Sequence, residues 1–232
     1  MNLRQIVLDT ETTGLNPRSG DRIIEIGCLE LINRRLTGSS LHLYVNPERD
    51  SEPGALAVHG LTTEFLSDKP KFAEVAHDIC EFVGGGEILI HNAPFDVAFL
   101  DAEFERLNRP QFATHCAQIV DTLQLAKELH PGKRNSLDAL CERYGISNAH
   151  RTLHGALLDA SLLAEVYLAM TRGQENLVIE IEVPRGGAGL DSSPIALGQL
   201  IVLKASPEEE AEHLAFLEIL RSDSKTEPVW IR

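Results

Sequence analysis

The chain has 232 residues, 43% hydrophobic and 24% charged, which suits a soluble globular protein with one sizeable core plus an appendage and excludes a disordered or fibrous class. A net charge of −14 excludes a free-standing protein that grips long nucleic acid by neutralising its phosphates, although an enzyme acting on a single strand end remains open. No apolar run approaches the roughly 20 residues of a membrane helix, Met1 to Arg4 lead straight into an apolar strand with no room for a signal peptide, and Cys28, Cys80, Cys116 and Cys141 form no Cys-x-x-Cys pair, so a cytoplasmic protein with buried, reduced thiols is expected.

The first element is Ile6-Val7-Leu8, an unbroken apolar run that predicts an inner strand and ends in Asp9-Thr10-Glu11-Thr12-Thr13-Gly14. Arg22 to Ile32 and Leu41 to Val45 predict two more strands, giving a three-stranded meander. Pro47 to Gly60 reads as a loop with a short helix around Gly54 to Val58. Phe72, Val75, Ala76, Ile79 and Val83 recur at helical spacing and stop at Gly84-Gly85-Gly86. Glu87 to His91 predicts a strand, and Asn92 the N-cap of a helix running to about Leu107.

Ile119 to Asp121 is a further short strand, followed by helices over Thr122 to Leu129 and Ser136 to Tyr144, the latter capped by Ser136. Leu153 to Met170 predicts the longest apolar helix in the chain. Three strands followed by alternating helices and strands indicate an α/β fold with a mixed sheet. Between Pro184 and Pro194 the chain is too rich in Gly, Ser and Pro for a core. Beyond it, Leu200 to Leu203 suggests a short strand, and Ser206-Pro207-Glu208-Glu209 is a capping box that opens an amphipathic helix carrying Leu214, Phe216, Leu217 and Leu220. Trp230 lies near the end. So short a segment cannot bury that apolar surface alone, which makes it a docking tail.

Strand side chains alternate, so Asp9 and Glu11 face one side. Two carboxylates held together repel unless a cation joins them, and Mg²⁺ or Mn²⁺ favours such oxygen ligands. Asp96 falls in the first turn of a helix, where the dipole favours negative charge, and Asp159 lies within the long apolar helix. His154 precedes Asp159 by five positions, a rotation of roughly 140° on a helix. The imidazole must therefore approach the acids from the helix start. His91 and His150 compete with it.

In order and spacing, Leu8 to Gly14, His91 to Asp96 and His154 to Asp159 resemble the three motifs of the DEDDh 3′-5′ exonucleases, and in particular the epsilon-type proofreading branch of bacterial DNA polymerase III. The resemblance spans about the first 174 residues. It implies a ribonuclease-H-like exonuclease fold in which Asp9, Glu11, Asp96 and Asp159 hold two divalent cations, Mg²⁺ or Mn²⁺, and His154 takes the proton from attacking water. Two cations roughly 3.5 to 4 Å apart would neutralise the phosphate and its leaving oxygen. The resemblance also implies substrate contacts at Thr12, Thr13, Gly14, His59 and Asn92.

The domain plan that follows is an exonuclease domain over residues 1–174, a linker over 175–199 and a polymerase-docking segment over 200–232. Gln174, Leu177 and Ile179 stand where the family carries a sliding-clamp peptide, with Ile179 in place of an aromatic residue, so a weak clamp contact is implied. The implied partners are a DNA 3′ end, single-stranded or frayed, the polymerase alpha subunit through the tail, the clamp, and a small theta-type subunit. Two other readings stay open: a free-standing nuclease on RNA or single-stranded DNA 3′ ends, and a catalytically idle adaptor between clamp and polymerase.

Overall fold

In the computed structural model, residues 3–148, 153–172 and 205–224 are described. The strand β1 (Arg4–Thr12) forms the middle of a five-stranded sheet, with Ile6, Val7 and Leu8 wholly buried because both faces are covered. It pairs antiparallel with β2 (Ile23–Ile32), which pairs antiparallel with β3 (Arg35–Tyr44). On its other edge β1 runs parallel to β4 (Glu87–Ile90), and β4 runs parallel to β5 (Gln118–Asp121). The order is β3-β2-β1-β4-β5, the mixed sheet that the alternation of elements predicts.

The helices in chain order are α1 (Pro53–His59), α2 (Thr63–Leu66), α3 (Phe72–Val83), α4 (Ala93–Arg106), α5 (Thr122–Leu129), α6 (Leu137–Tyr144) and α7 (Ala156–Met170). Ile6 and Leu8 pack with Phe72, Ile79, Phe99 and Phe104 of α3 and α4. Val7, on the opposite face, packs with Ala160, Leu163, Ala164 and Tyr167 of α7. The even and odd positions of one strand thus feed two separate helical layers.

Three local expectations change. The strand expected over Leu41 to Val45 begins at Arg35, because Asn33 and Arg34 take left-handed φ values of 49° and 64° in a tight hairpin. Its first six residues are exposed and Leu36 is the one large apolar side chain among them, so pairing with β2 forms this edge strand and no apolar alternation reveals it. Asn92 occupies the N-cap position of α4 but is itself left-handed (φ 68°) and makes no side-chain cap. The helix expected from Leu153 starts at Ala156, since Gly155 is extended (φ −151°, ψ 129°) and serves as N-cap. His154 therefore lies outside the helix. Cys28 and Cys141 are buried thiols as expected, whereas Cys80 and Cys116 are half-buried, and none of the four is in a disulfide.

Contacts group the chain into two units, Met1–Val178 and Ile179–Arg232. In the second, α8 (Pro207–Ser224) opens on the expected capping box: Ser206 Oγ accepts from the Glu209 backbone N–H at 3.2 Å, and Glu209 Oε2 accepts from the Ser206 N–H at 2.7 Å. The expected strand at Leu200 to Leu203, the clamp peptide Gln174 to Ile179, His150 and Trp230 lie outside the described residues. Among the described residues, no helix is long and apolar enough to cross a membrane.

Candidate active site

Asp9 and Glu11 leave β1 on the face that carries Val7, the face covered by α7. Their cross-strand neighbours are Gly27 and Glu25. Gly27 has a steric function, since a side-chain carbon there would overlap the backbone of Ala156 and Leu157. The first turn of α7 thus rests directly on the β2 backbone, and Asp159 is carried to the strand end that bears Glu11.

Here Glu11, His154 and Asp159 each offer a ligand atom, and the three atoms lie within 4.8 Å of one another. His154 Nδ1 is 3.2 Å from Asp159 Oδ2, and the His154 backbone N–H donates to Val58 O at 3.1 Å, tying the residue to the end of α1. The Asp159 side chain is 5% exposed, while that of His154 is 43% exposed. A buried carboxylate therefore orients an imidazole whose other nitrogen can meet solvent. Of the three histidines weighed from sequence, His91 is instead held against Thr122, with Nδ1 3.1 Å from the hydroxyl, and burial lowers its pKa.

Asp9 and Asp96 fall outside that three-residue group. Asp96 sits in the first turn of α4 and is 3% exposed. Its Oδ1 accepts from Thr10 Oγ1 at 2.6 Å, and Thr10 points away from Asp9 and Glu11 into the other layer. Burial pushes the Asp96 carboxyl up to about 7, with the charge of Asp121 adding to the rise and the Thr10 hydroxyl opposing it.

Beside Glu11 a cavity of about 400 Å³ runs between the turn after β1 and α1, lined by Thr12, Gly14, Leu15, Glu52, His59 and Phe95 among others. Thr12 Oγ1 closes the turn by donating to Gly14 O at 2.7 Å, and Thr13 is fully buried behind it. His59 ends α1 at 3% exposure; its Nδ1 accepts from the Leu61 N–H at 2.9 Å, which leaves the buried Nε2 with no partner among the described residues. Desolvation lowers the pKa of His59, so the neutral ring offers Nε2–H as a donor into its surroundings. Asn92 is exposed, and its backbone N–H donates to Asp121 Oδ1 at 3.1 Å.

Sequence reasoning missed Thr10, Glu25 and Gly27. Glu25, 3% exposed, pairs with His42 Nε2 at 2.7 Å next to Glu11. A glycine inside a strand was the one available signal for Gly27.

Carboxylate oxygens beside an imidazole can hold a hard divalent cation and can also move a proton. Comparison with known proteins supplies the context. The RNase_T exonuclease family matches residues 6–167. The chain is 48% identical over 241 aligned residues to the DNA polymerase III subunit epsilon of Haemophilus influenzae, covering 98% of this chain and 94% of the relative. It is 50% identical over 228 residues to that of Escherichia coli, with 94% and 93% covered. Among solved structures, exonuclease X in complex with 5′ overhanging duplex DNA aligns over 73% of this chain and 92% of its own at a TM-score of 0.58 and 26% identity. A zinc-bound complex of E. coli exonuclease I with single-stranded DNA aligns at a TM-score of 0.66 and 20% identity over 76% and 42%, a likeness of fold alone.

Proposed function

The chain belongs to the exonuclease family that includes the epsilon subunits of DNA polymerase III, and from that premise we propose that it is the 3′-5′ proofreading exonuclease subunit of a replicative DNA polymerase. The observation that carries the reading is the meeting of Glu11, His154 and Asp159, with Glu11 also lining a cavity of about 400 Å³.

Oxygen donors in this arrangement fit a divalent cation of the Mg²⁺ or Mn²⁺ kind. Glu11 and Asp159 would hold it, with Asp9 and Asp96 completing a site for two. When bound, such cations neutralise the phosphate and the departing 3′ oxygen. The chain's own residues do the rest. Asp159 holds His154 through Nδ1, which leaves Nε2 to accept a proton from water aimed at the phosphorus. Thr12 and Gly14 line one wall of the cavity for the terminal nucleotide with Thr13 buried behind them, and His59 lines the cavity as well; Asn92 lies at the start of α4. A mispaired end frays more readily and so reaches this cavity more often, which permits proofreading without reading the base.

The decisive assay follows removal of a 3′-terminal mispaired nucleotide from a DNA primer, with and without a chelator, beside a paired primer and an RNA end. Fast, chelator-sensitive loss of the mispaired DNA nucleotide is expected. Preference for the RNA end would favour a free-standing RNA nuclease instead, and no turnover at all would favour an adaptor.

In this reading residues 1–174 form the nuclease domain, 175–199 a linker, with a weak clamp-binding peptide at their junction through Gln174, Leu177 and Ile179, and 200–232 the segment that docks on the polymerase alpha subunit in the cytoplasm. Leu214, Phe216 and Ile219 of α8 are more than half exposed; Phe216 and Ile219 lie roughly 60° apart around the helix and supply an apolar contact for that docking, while Leu214 faces the other side. A theta-type subunit would be a further partner. Deleting residues 184–232 is expected to abolish polymerase co-elution while leaving nuclease turnover at the wild-type level.

A further inference from the structure

The two walls of the cavity come from different stretches of chain, so something must set the gap between them. One wall is the turn Thr12 to Leu15; the other is Glu52 with α1. Two ties join them. The Glu52 backbone N–H donates to Thr13 O at 2.7 Å, and Arg49 Nη1 lies 3.0 Å from Asp21 Oδ1.

Asp21 is the hub beneath the first wall. Its side chain is 3% exposed, and it accepts from Thr13 Oγ1 at 3.2 Å and from the Asn16 N–H at 3.0 Å. The carboxylate lies directly against Gly14, where any side chain would overlap it. Neither Asp21 nor Arg49 is among the residues lining the cavity. A buried carboxylate with no catalytic part, fixed to both walls, is an arrangement for holding position.

We propose that Asp21 and Arg49 are positioning residues whose ion pair fixes the width of the terminal-nucleotide cavity and thereby the affinity for the strand end. The inference rests on reading that cavity as the seat of the 3′-terminal nucleotide. Breaking the pair leaves the Glu52–Thr13 hydrogen bond to hold α1 to the turn, so the walls separate. The acids are placed by β1 and by the seat of α7 on Gly27, so the chemical step changes less than binding does.

The test uses the full chain with Arg49→Gln, Arg49→Lys and Asp21→Asn. Two quantities are read: calorimetric binding of thymidine 5′-monophosphate in the presence of Mn²⁺, and kcat and KM on a single-stranded oligonucleotide. For Arg49→Gln and Asp21→Asn, the monophosphate Kd and the KM are expected to rise about tenfold with kcat within about threefold of wild type, and Arg49→Lys is expected to recover most of the loss. Unchanged Kd in both disruptive variants, a loss confined to kcat, or an Arg49→Gln protein that fails to fold would overturn the clasp. Wild-type protein that binds no monophosphate would instead overturn the reading of the cavity.

Discussion

The two faces of β1 handle their acids in opposite ways. On the α7 face, the half-buried Glu11 and the buried Asp159 meet a 43% exposed imidazole, through which the group opens to water and substrate. On the α4 face, Asp96 is 3% exposed and bonded to Thr10, and burial favours its protonated form near neutrality. One strand thus separates a reactive set from a carboxyl whose pKa burial raises toward neutrality. A cation shared by both faces would draw the second group into the first.

The largest expected effect breaks the reactive face outright. Glu11→Ala or Asp159→Ala should lower turnover on a mispaired primer by about 10³-fold, as loss of charge stabilisation at a reacting phosphate demands. Their circular dichroism should match wild type. Near-wild-type rates in either variant would remove these residues from the chemistry.

Gly27→Ala comes next, because it moves the support without touching a reacting group. The added methyl must lift the first turn of α7 from β2, which should cost about 10²-fold in turnover through misplacement of Asp159 and His154, and about 1 to 3 kcal/mol of stability. A variant that retains wild-type turnover would show that the seat of α7 on β2 does not position the acids.

The smallest effect concerns the α4 face and sharpens the contrast. A carboxyl whose pKa is raised in the folded state contributes stability below its ordinary pKa and loses that contribution as pH climbs through about 7. In chelator, Asp96→Asn should therefore melt higher than wild type at pH 8, by about 1 kcal/mol or more, with the advantage gone near pH 4. Thermal melts across that range read the result directly. An advantage that persists unchanged at pH 4 would mean that ionisation of Asp96 is not its source.

The reach of sequence reasoning varied with the distance between the residues concerned. Asp9 and Glu11 share a face by strand alternation, a purely local rule. The helical angle between His154 and Asp159 was also a local argument, but it rested on a helix from Leu153; Gly155 is extended, and the two side chains meet 3.2 Å apart because His154 precedes the helix. The edge strand β3 left little apolar signal, because its first half is held by pairing and not by burial. Thr10 and the Asp21–Arg49 pair left no signal, and Gly27 only that of a glycine inside a strand, since the partner of each lies far along the chain.

Order, spacing and alternation along the chain thus determined the family, the mixed sheet, the identity of the acids and the capping box of α8, because these depend on neighbours within a few residues or on three motifs read together. Only the tertiary structure decided that Gly27 seats α7, that Asp96 lies across the strand from Glu11, and that Asp21 and Arg49 join two walls. Those contacts arise when β2, α1, α4 and α7 close around β1, and a side chain's partner across such a packing depends on the shape of the whole and not on its own place in the sequence.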